Sequence, residues 1–234
     1  LQRLIMVAKS YDALGKEEEV RKLYEQIATL SPGSTSSFEA TYHLLIRDHK
    51  KSANNFLKNA ESFLRDYATK RAEDPKVHSI RLLLGEGYYA AKDYEKAIDA
   101  YRELIPLAPA KASDWYWAIG GIYEKTKMLK LAIQSYRNSD NYPQAYFQMA
   151  KCHRKLEEYN EALILYKQAL ATESAASDAT IAIGYTYEEQ SNKNNAIKWF
   201  QRTCKLFPRS RNASKAHSHL QKEYGISVTL GGAK

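Results

Sequence analysis

The sequence predicts an all-α chain, a solenoid of about six helix-turn-helix units closed by a C-terminal helix. Three observations predict it. Small residues at Ala8, Thr41, Gly85, Gly120, Ala150 and Gly184 recur 33, 44, 35, 30 and 34 residues apart. Each opens the same pattern: Tyr11, Leu44, Tyr88, Tyr123, His153 and Tyr187 three residues on, Val20, Ala53, Ala97, Ala132, Ala162 and Ala196 twelve on, and Tyr24, Leu57, Tyr101, Tyr136, Tyr166 and Phe200 sixteen on. With only 10 Gly and 6 Pro in 234 residues, long helices meet few interruptions, and Pro32, Pro109 and Pro208 fall where units end. In such an array each unit packs on its neighbours and the stack grows in one dimension.

The elements follow in order, in repeats at about 1–34, 35–76, 77–111, 112–142, 143–176 and 177–209. In the first, Leu4, Val7, Ala8 and Tyr11 make an i, i+3, i+4, i+7 stripe on helix A, and Gly15 ends it in the left-handed conformation. Helix B carries Val20, Leu23, Tyr24 and Ile27 and stops before Ser31-Pro32-Gly33. The second repeat is about ten residues longer, with helix B expected from Asn54 past Tyr67 towards Glu73, and Pro75 closing the interruption. The third turns at Lys92-Asp93 and the sixth at Ser191-Asn192. At Asn138–Pro143 the fourth repeat is about four residues short, which clips its helix B by roughly one turn. Small residues let helices A and B cross closely while Tyr and Phe fill the space between successive pairs. A cap helix is expected at 210–224, with Ala213, Ala216, Leu220 and Tyr224 on its apolar stripe, and a flexible Gly-rich tail at 225–234. The first and last units belong to a single domain, 1–224.

Composition narrows the function classes. Apolar content of 44% and charged content of 26% are ordinary for a globular chain, and the recurring positions account for much of the excess in the 18 Tyr. A net charge of +8 fits either an anionic partner or a Lys-rich solvated surface. The densest basic runs, Arg47, His49, Lys50, Lys51 and later Lys205, Arg209, Arg211, Lys215, do not form a groove-lining stripe, so nucleic-acid binding stands as the alternative function. Cys152 and Cys204 have no disulfide or metal spacing; beside the seam, Cys152 is expected to be a buried free thiol. No run approaches 18 apolar residues. The chain begins at Leu1 inside a helical pattern, from which a trimmed or processed chain is expected.

Catalytic motifs are missing. Gly85-Glu86-Gly87 lacks the strand and third Gly of a phosphate loop. His217 and His219, two apart, fall on different sides of a helix and are expected to face solvent; neither a metal site nor a cofactor is expected. His153 replaces a Tyr and is expected to pack. The expectation is therefore a non-enzyme. Helix A residues three before, one after and four after the small residue face the inner surface of such a stack. These are Phe38, Tyr42 and Leu45; Leu82, Glu86 and Tyr89; Trp117, Gly121 and Glu124; Phe147, Lys151 and Arg154; and Ile181, Tyr185 and Glu188. Aromatic rings and Arg dominate binding hot spots, so a groove of Trp117, Phe147 and Tyr185 with Lys151, Arg154 and Glu124 suits an extended or helical peptide. The same rings also suit packing against neighbouring A helices, and both readings stay open.

The period and its residues resemble the tetratricopeptide repeat over essentially residues 1–209. The resemblance implies a right-handed superhelix serving as a scaffold for protein or peptide partners. Co-chaperone members of that family hold a peptide's terminal carboxylate with Lys and Asn on successive A helices; here those places carry mostly aromatic and acidic residues, so that activity is not expected. Phe207-Pro208-Arg209-Ser210 followed by Ala213 and Ala216 is similar to bacterial envelope repeat proteins of the outer-membrane assembly and Tol-associated kind, which implies a periplasmic or cell-envelope location.

Overall fold

The computed structural model describes residues 2–51 and 53–231. The chain divides into two compact units, 1–115 and 116–234, with the boundary inside a helix. The first unit holds α1 (Gln2–Ala13), α2 (Glu17–Leu30), α3 (Thr35–Lys51), α4 (Ala53–Tyr67), α5 (Pro75–Ala90), α6 (Tyr94–Leu107), a 3₁₀ turn (Pro109–Lys111) and the start of α7 (Ala112–Lys125). The second continues α7 and adds α8 (Leu129–Asn138), α9 (Gln144–Lys155), α10 (Tyr159–Ala169), α11 (Glu173–Glu189), α12 (Lys193–Leu206) and α13 (Arg211–Tyr224). No strand occurs among the described residues.

One turn is reused in five of the repeats. Seven residues past the small residue stands Gly15, Lys92, Lys127, Glu157 or Ser191, with φ of 69°, 64°, 63°, 60° and 62°. The next amide, of Lys16, Asp93, Met128, Glu158 or Asn192, donates to the carbonyl of Tyr11, Tyr88, Tyr123, His153 or Tyr187 at 2.8–3.0 Å. This is the six-to-one closure that satisfies carbonyls left over at a helix end. Asp93 and Asn192 then cap the following helix through their side chains. The carbonyl of the +3 residue thus ends helix A.

The seam itself is a ring laid on a small residue within one hairpin. A Cβ placed on Gly120 would stand 2.8 Å from Cδ1 and Cε1 of Tyr136, and one on Gly184 would stand 2.7 Å from Cε1 of Phe200. A Cβ on Gly85 would meet Tyr101 at 3.1 Å. Ala8 with Val20 and Tyr24, and Ala150 with Ala162 and Tyr166, form the corresponding buried clusters. The aromatic at +16 therefore seats first on its own helix A, and only its far side meets the next pair, as where Tyr24 stacks on His43 at 5.0 Å.

The second repeat corrects the expected register. Helix B ends at Tyr67 rather than running towards Glu73, and residues 68–73 are turns before Asp74 caps α5. The extra length sits partly in helix A: α3 continues to Lys51, ten residues past Thr41, where the other A helices stop five past their small residue. Ala53 is consequently exposed, and Ala60, fully buried, lies in the core of α4 instead. The clipped helix B of the fourth repeat is α8, of 10 residues. At the end, Ser210 accepts from the Ala213 amide and Gly225 closes α13 in the left-handed region, so Phe207–Ser210 acts as turn and helix cap. The expected loose tail is corrected over 226–231: Ile226 and Val228 pack on the Phe200, Cys204 and Leu220 cluster, and the Gly231 amide donates to the Cys204 carbonyl at 3.1 Å. Residues 232–234 of that tail lie outside the described residues.

Candidate protein-docking groove

The groove positions divide by unit. In residues 1–115, Phe38 is fully buried, stacked on Phe63 at 5.3 Å and edge-on to Tyr67 at 5.1 Å. It is therefore a core residue and not a groove contact: the shifted α4 covers its face. Leu45 is buried for the same reason. Tyr42 is half-buried beside the Lys76 ammonium, 5.7 Å from its ring centre. Glu86 is exposed, and Tyr89 is 40% exposed with its ring 5.9 Å from that of Tyr94.

In residues 116–234 three aromatic positions recur. Trp117 is half-buried, edge-on to Tyr136 at 5.1 Å. Phe147 is half-buried against Tyr166 at 5.7 Å, and Tyr185 against Phe200 at 5.0 Å. Each ring leans on the helix B ring of its own repeat and keeps part of its surface in water. The packing these rings make is inside their own hairpins, against helix B rings, and leaves each ring partly exposed. Ile181, by contrast, is buried.

Between these rings the charges are tethered. Glu124, its side chain 13% exposed, accepts from Lys151 and Lys155, both at 2.8 Å, and from the Tyr136 hydroxyl at 3.2 Å. Burial works against the Glu124 charge, but the two ammonium groups outweigh it and hold its carboxyl below the usual range. Burial together with that carboxylate pushes the Tyr136 phenol upward. Arg154 Nε donates to Glu189 at 2.8 Å and its Nη2 to the other oxygen, a two-point pairing. Glu188 accepts from Tyr224 Oη at 2.5 Å and lies 2.9 and 3.0 Å from His219 Nε2. Burial and that bond push Tyr224 up to about 12.

Lys155, Glu189, His219 and Tyr224 were not among the sequence-predicted site residues. The expectation that His219 faces solvent is corrected: its ring lies 4.8 Å from Phe200 and 5.2 Å from Tyr185. His153 packs as expected and also meets Glu158 at 2.7 Å. A separate cavity of about 940 Å³ opens between α2, α3 and α4. There the buried Asp48 accepts from Arg21 at 2.8 Å and Asn59 at 3.2 Å, so its buried carboxylate is satisfied internally. Among the described residues no three His, Cys, Asp or Glu side chains group as a metal site, and no helix is long and apolar enough to cross a membrane.

Comparison with known proteins bears on the fold. Tetratricopeptide repeat models match residues 57–112 and 143–174. No curated protein matches the chain significantly. Among solved structures the chain is similar to YrrB, described as a TPR protein with an unusual peptide-binding site, at 16% identity and a TM-score of 0.56, over 83% of this chain and 97% of that one. It is similar to MamA at 17% identity and a TM-score of 0.55, over 81% and 98%, and to MamA from Desulfovibrio magneticus RS-1 at 14% and 0.52, over 74% and 97%. At such identities the likeness establishes the fold, an all-α helix-hairpin array of the tetratricopeptide type.

Proposed function

We propose that the A-helix face of residues 116–224 is a non-catalytic docking groove for an extended or helical segment of a protein partner. The observation that carries this reading is the row of Trp117, Phe147 and Tyr185, each anchored on a helix B ring yet partly open, with Glu124, Lys151 and Arg154 fixed between them by ion pairs. Rings immobilised before binding lose little side-chain entropy when a partner arrives, and tethered charges supply orientation and selectivity more than raw affinity. The peptide-binding site described for YrrB supports the same use of this fold. In unit 1, Tyr42, Glu86 and Tyr89 offer a sparser surface of the same kind.

The test is a pull-down from the source cell extract with Trp117→Ala/Arg154→Ala beside the unaltered protein. The double variant is expected to lose the partner while its helical circular dichroism stays unchanged. Undiminished capture would reject the groove.

A further inference from the structure

The last helix is more than a lid. Ser218 falls 34 residues after Gly184; it is exposed where Ala150 and Gly184 are buried, but α13 buries the residues flanking that position as the preceding A helices do. Five before and two after the small residue, α9 buries Ala145 and Cys152, α11 buries Ala179 and Thr186, and α13 buries Ala213 and Leu220. The groove positions of α13 are therefore Lys215, His219 and Lys222, in register with Ile181, Tyr185 and Glu188 of α11. His219 confirms the register by touching Tyr185, Phe200 and Glu188 at once. Beside it lies a concavity of about 450 Å³ lined by Tyr185, Arg211, Lys215, His219, Lys222 and Glu223, among others.

The charge of this place is positive. Lys222 pairs with Glu223 at 3.0 Å, and Glu188 is committed to His219 and Tyr224. Among the described residues, Arg211 and Lys215 have no carboxylate partner; both are exposed and stand one helical turn apart on the same face. Building on the docking groove proposed above, we propose that this concavity is its terminal station and takes the carboxylates of an acidic segment of the partner, whose apolar side chains lie on Tyr185, Phe147 and Trp117. A protein segment suits the site better than a nucleic acid. A phosphate backbone running along the groove would pass Glu124, Glu188 and Glu189, whereas a peptide places its acidic residues only where the cations are.

The test measures anisotropy of a fluorescein-labelled octa-glutamate peptide at low salt, with octa-lysine and octa-uridylate as comparison probes. The unaltered protein is expected to bind octa-glutamate and not octa-lysine, with affinity falling as salt rises. Arg211→Glu/Lys215→Glu is expected to weaken binding by about tenfold or more, the size of two partly screened charge contacts. The control Lys198→Glu/Lys205→Glu, on exposed positions of α12, carries the same change in net charge and is expected to leave binding unaltered. An equal loss in both variants, tighter binding of octa-uridylate than of octa-glutamate, or no octa-glutamate binding at all would overturn the proposal. Trp117→Ala/Arg154→Ala separates the two readings: octa-glutamate needs only the α13 station, so that variant should still bind it even where partner capture is lost. All variants are checked by circular dichroism.

Discussion

Gly184 has no room for a methyl group, because the ring of Phe200 above it is itself fully buried. Gly184→Ala should therefore lower stability by about 1–2 kcal/mol, the overpacking cost of a rigid core reduced by the gain in helix propensity. Urea denaturation measures it, and pairing the change with Phe200→Leu should give a loss smaller than the sum of the two. The turn residues argue in the opposite direction. Ser191 occupies the left-handed region with φ 62°, which disfavours any residue with a Cβ. Ser191→Gly is expected to raise stability by about 0.5–1 kcal/mol, the relief of that strain net of the extra freedom of the unfolded chain, and an unchanged or lower urea midpoint would contradict it. Cys152 is fully buried and burial pushes its thiol up to about 11. At pH 8 it should resist a thiolate-directed reagent in the native protein and label only on unfolding.

At the scale of elements, the hairpin is the self-sufficient piece. Its turn, seam ring and caps all draw on residues fewer than 20 apart, so the same solution is written repeatedly along the chain. What joins α7 to α9 is different in kind, being the Glu124 cluster with Lys151 and Lys155. A carboxyl whose pKa is lowered on folding contributes stability above its unfolded value, and that contribution is lost as pH falls through the folded one. Lys151→Ala/Lys155→Ala should therefore lose about 1 kcal/mol at pH 7, modest because both lysines are about half exposed. The gap from the unaltered protein should close only as pH falls beneath the ordinary carboxylate range, through the lowered folded pKa of Glu124. Stability measured against pH checks both the size and the direction. The element that departs, α3, shows why register could be misread. A helix A lengthened beyond its small residue moves helix B along it, which exposes Ala53 and buries Phe38 beneath Phe63 and Tyr67.

At the scale of the molecule, packing is carried mainly between helices adjacent in sequence, so a local defect should stay local. Hydrogen exchange on Gly184→Ala is expected to speed amides in α11, α12 and α13 while leaving α2 and α3 as they were; uniform acceleration across both would show one cooperative body instead. The sequence by itself determined the helix pairs and the recurring small residues and rings, because these depend on spacing within a hairpin and spacing is visible in one dimension; that the ring seats on the small residue of its own hairpin came from the structure. It also nominated Trp117, Phe147, Tyr185, Glu124, Lys151 and Arg154 for the proposed groove. Only the tertiary structure decided which of those positions remain open, since burial is set by the neighbouring helix. Phe38 is covered by the shifted α4, while the Tyr185 ring is shared between water, Phe200 and His219. It also showed that the apolar stripe expected on α13 is buried at Ala213 and Leu220 with the spacing of Ala179 and Thr186 in α11, and that residues 226–231 fold back on the same cluster.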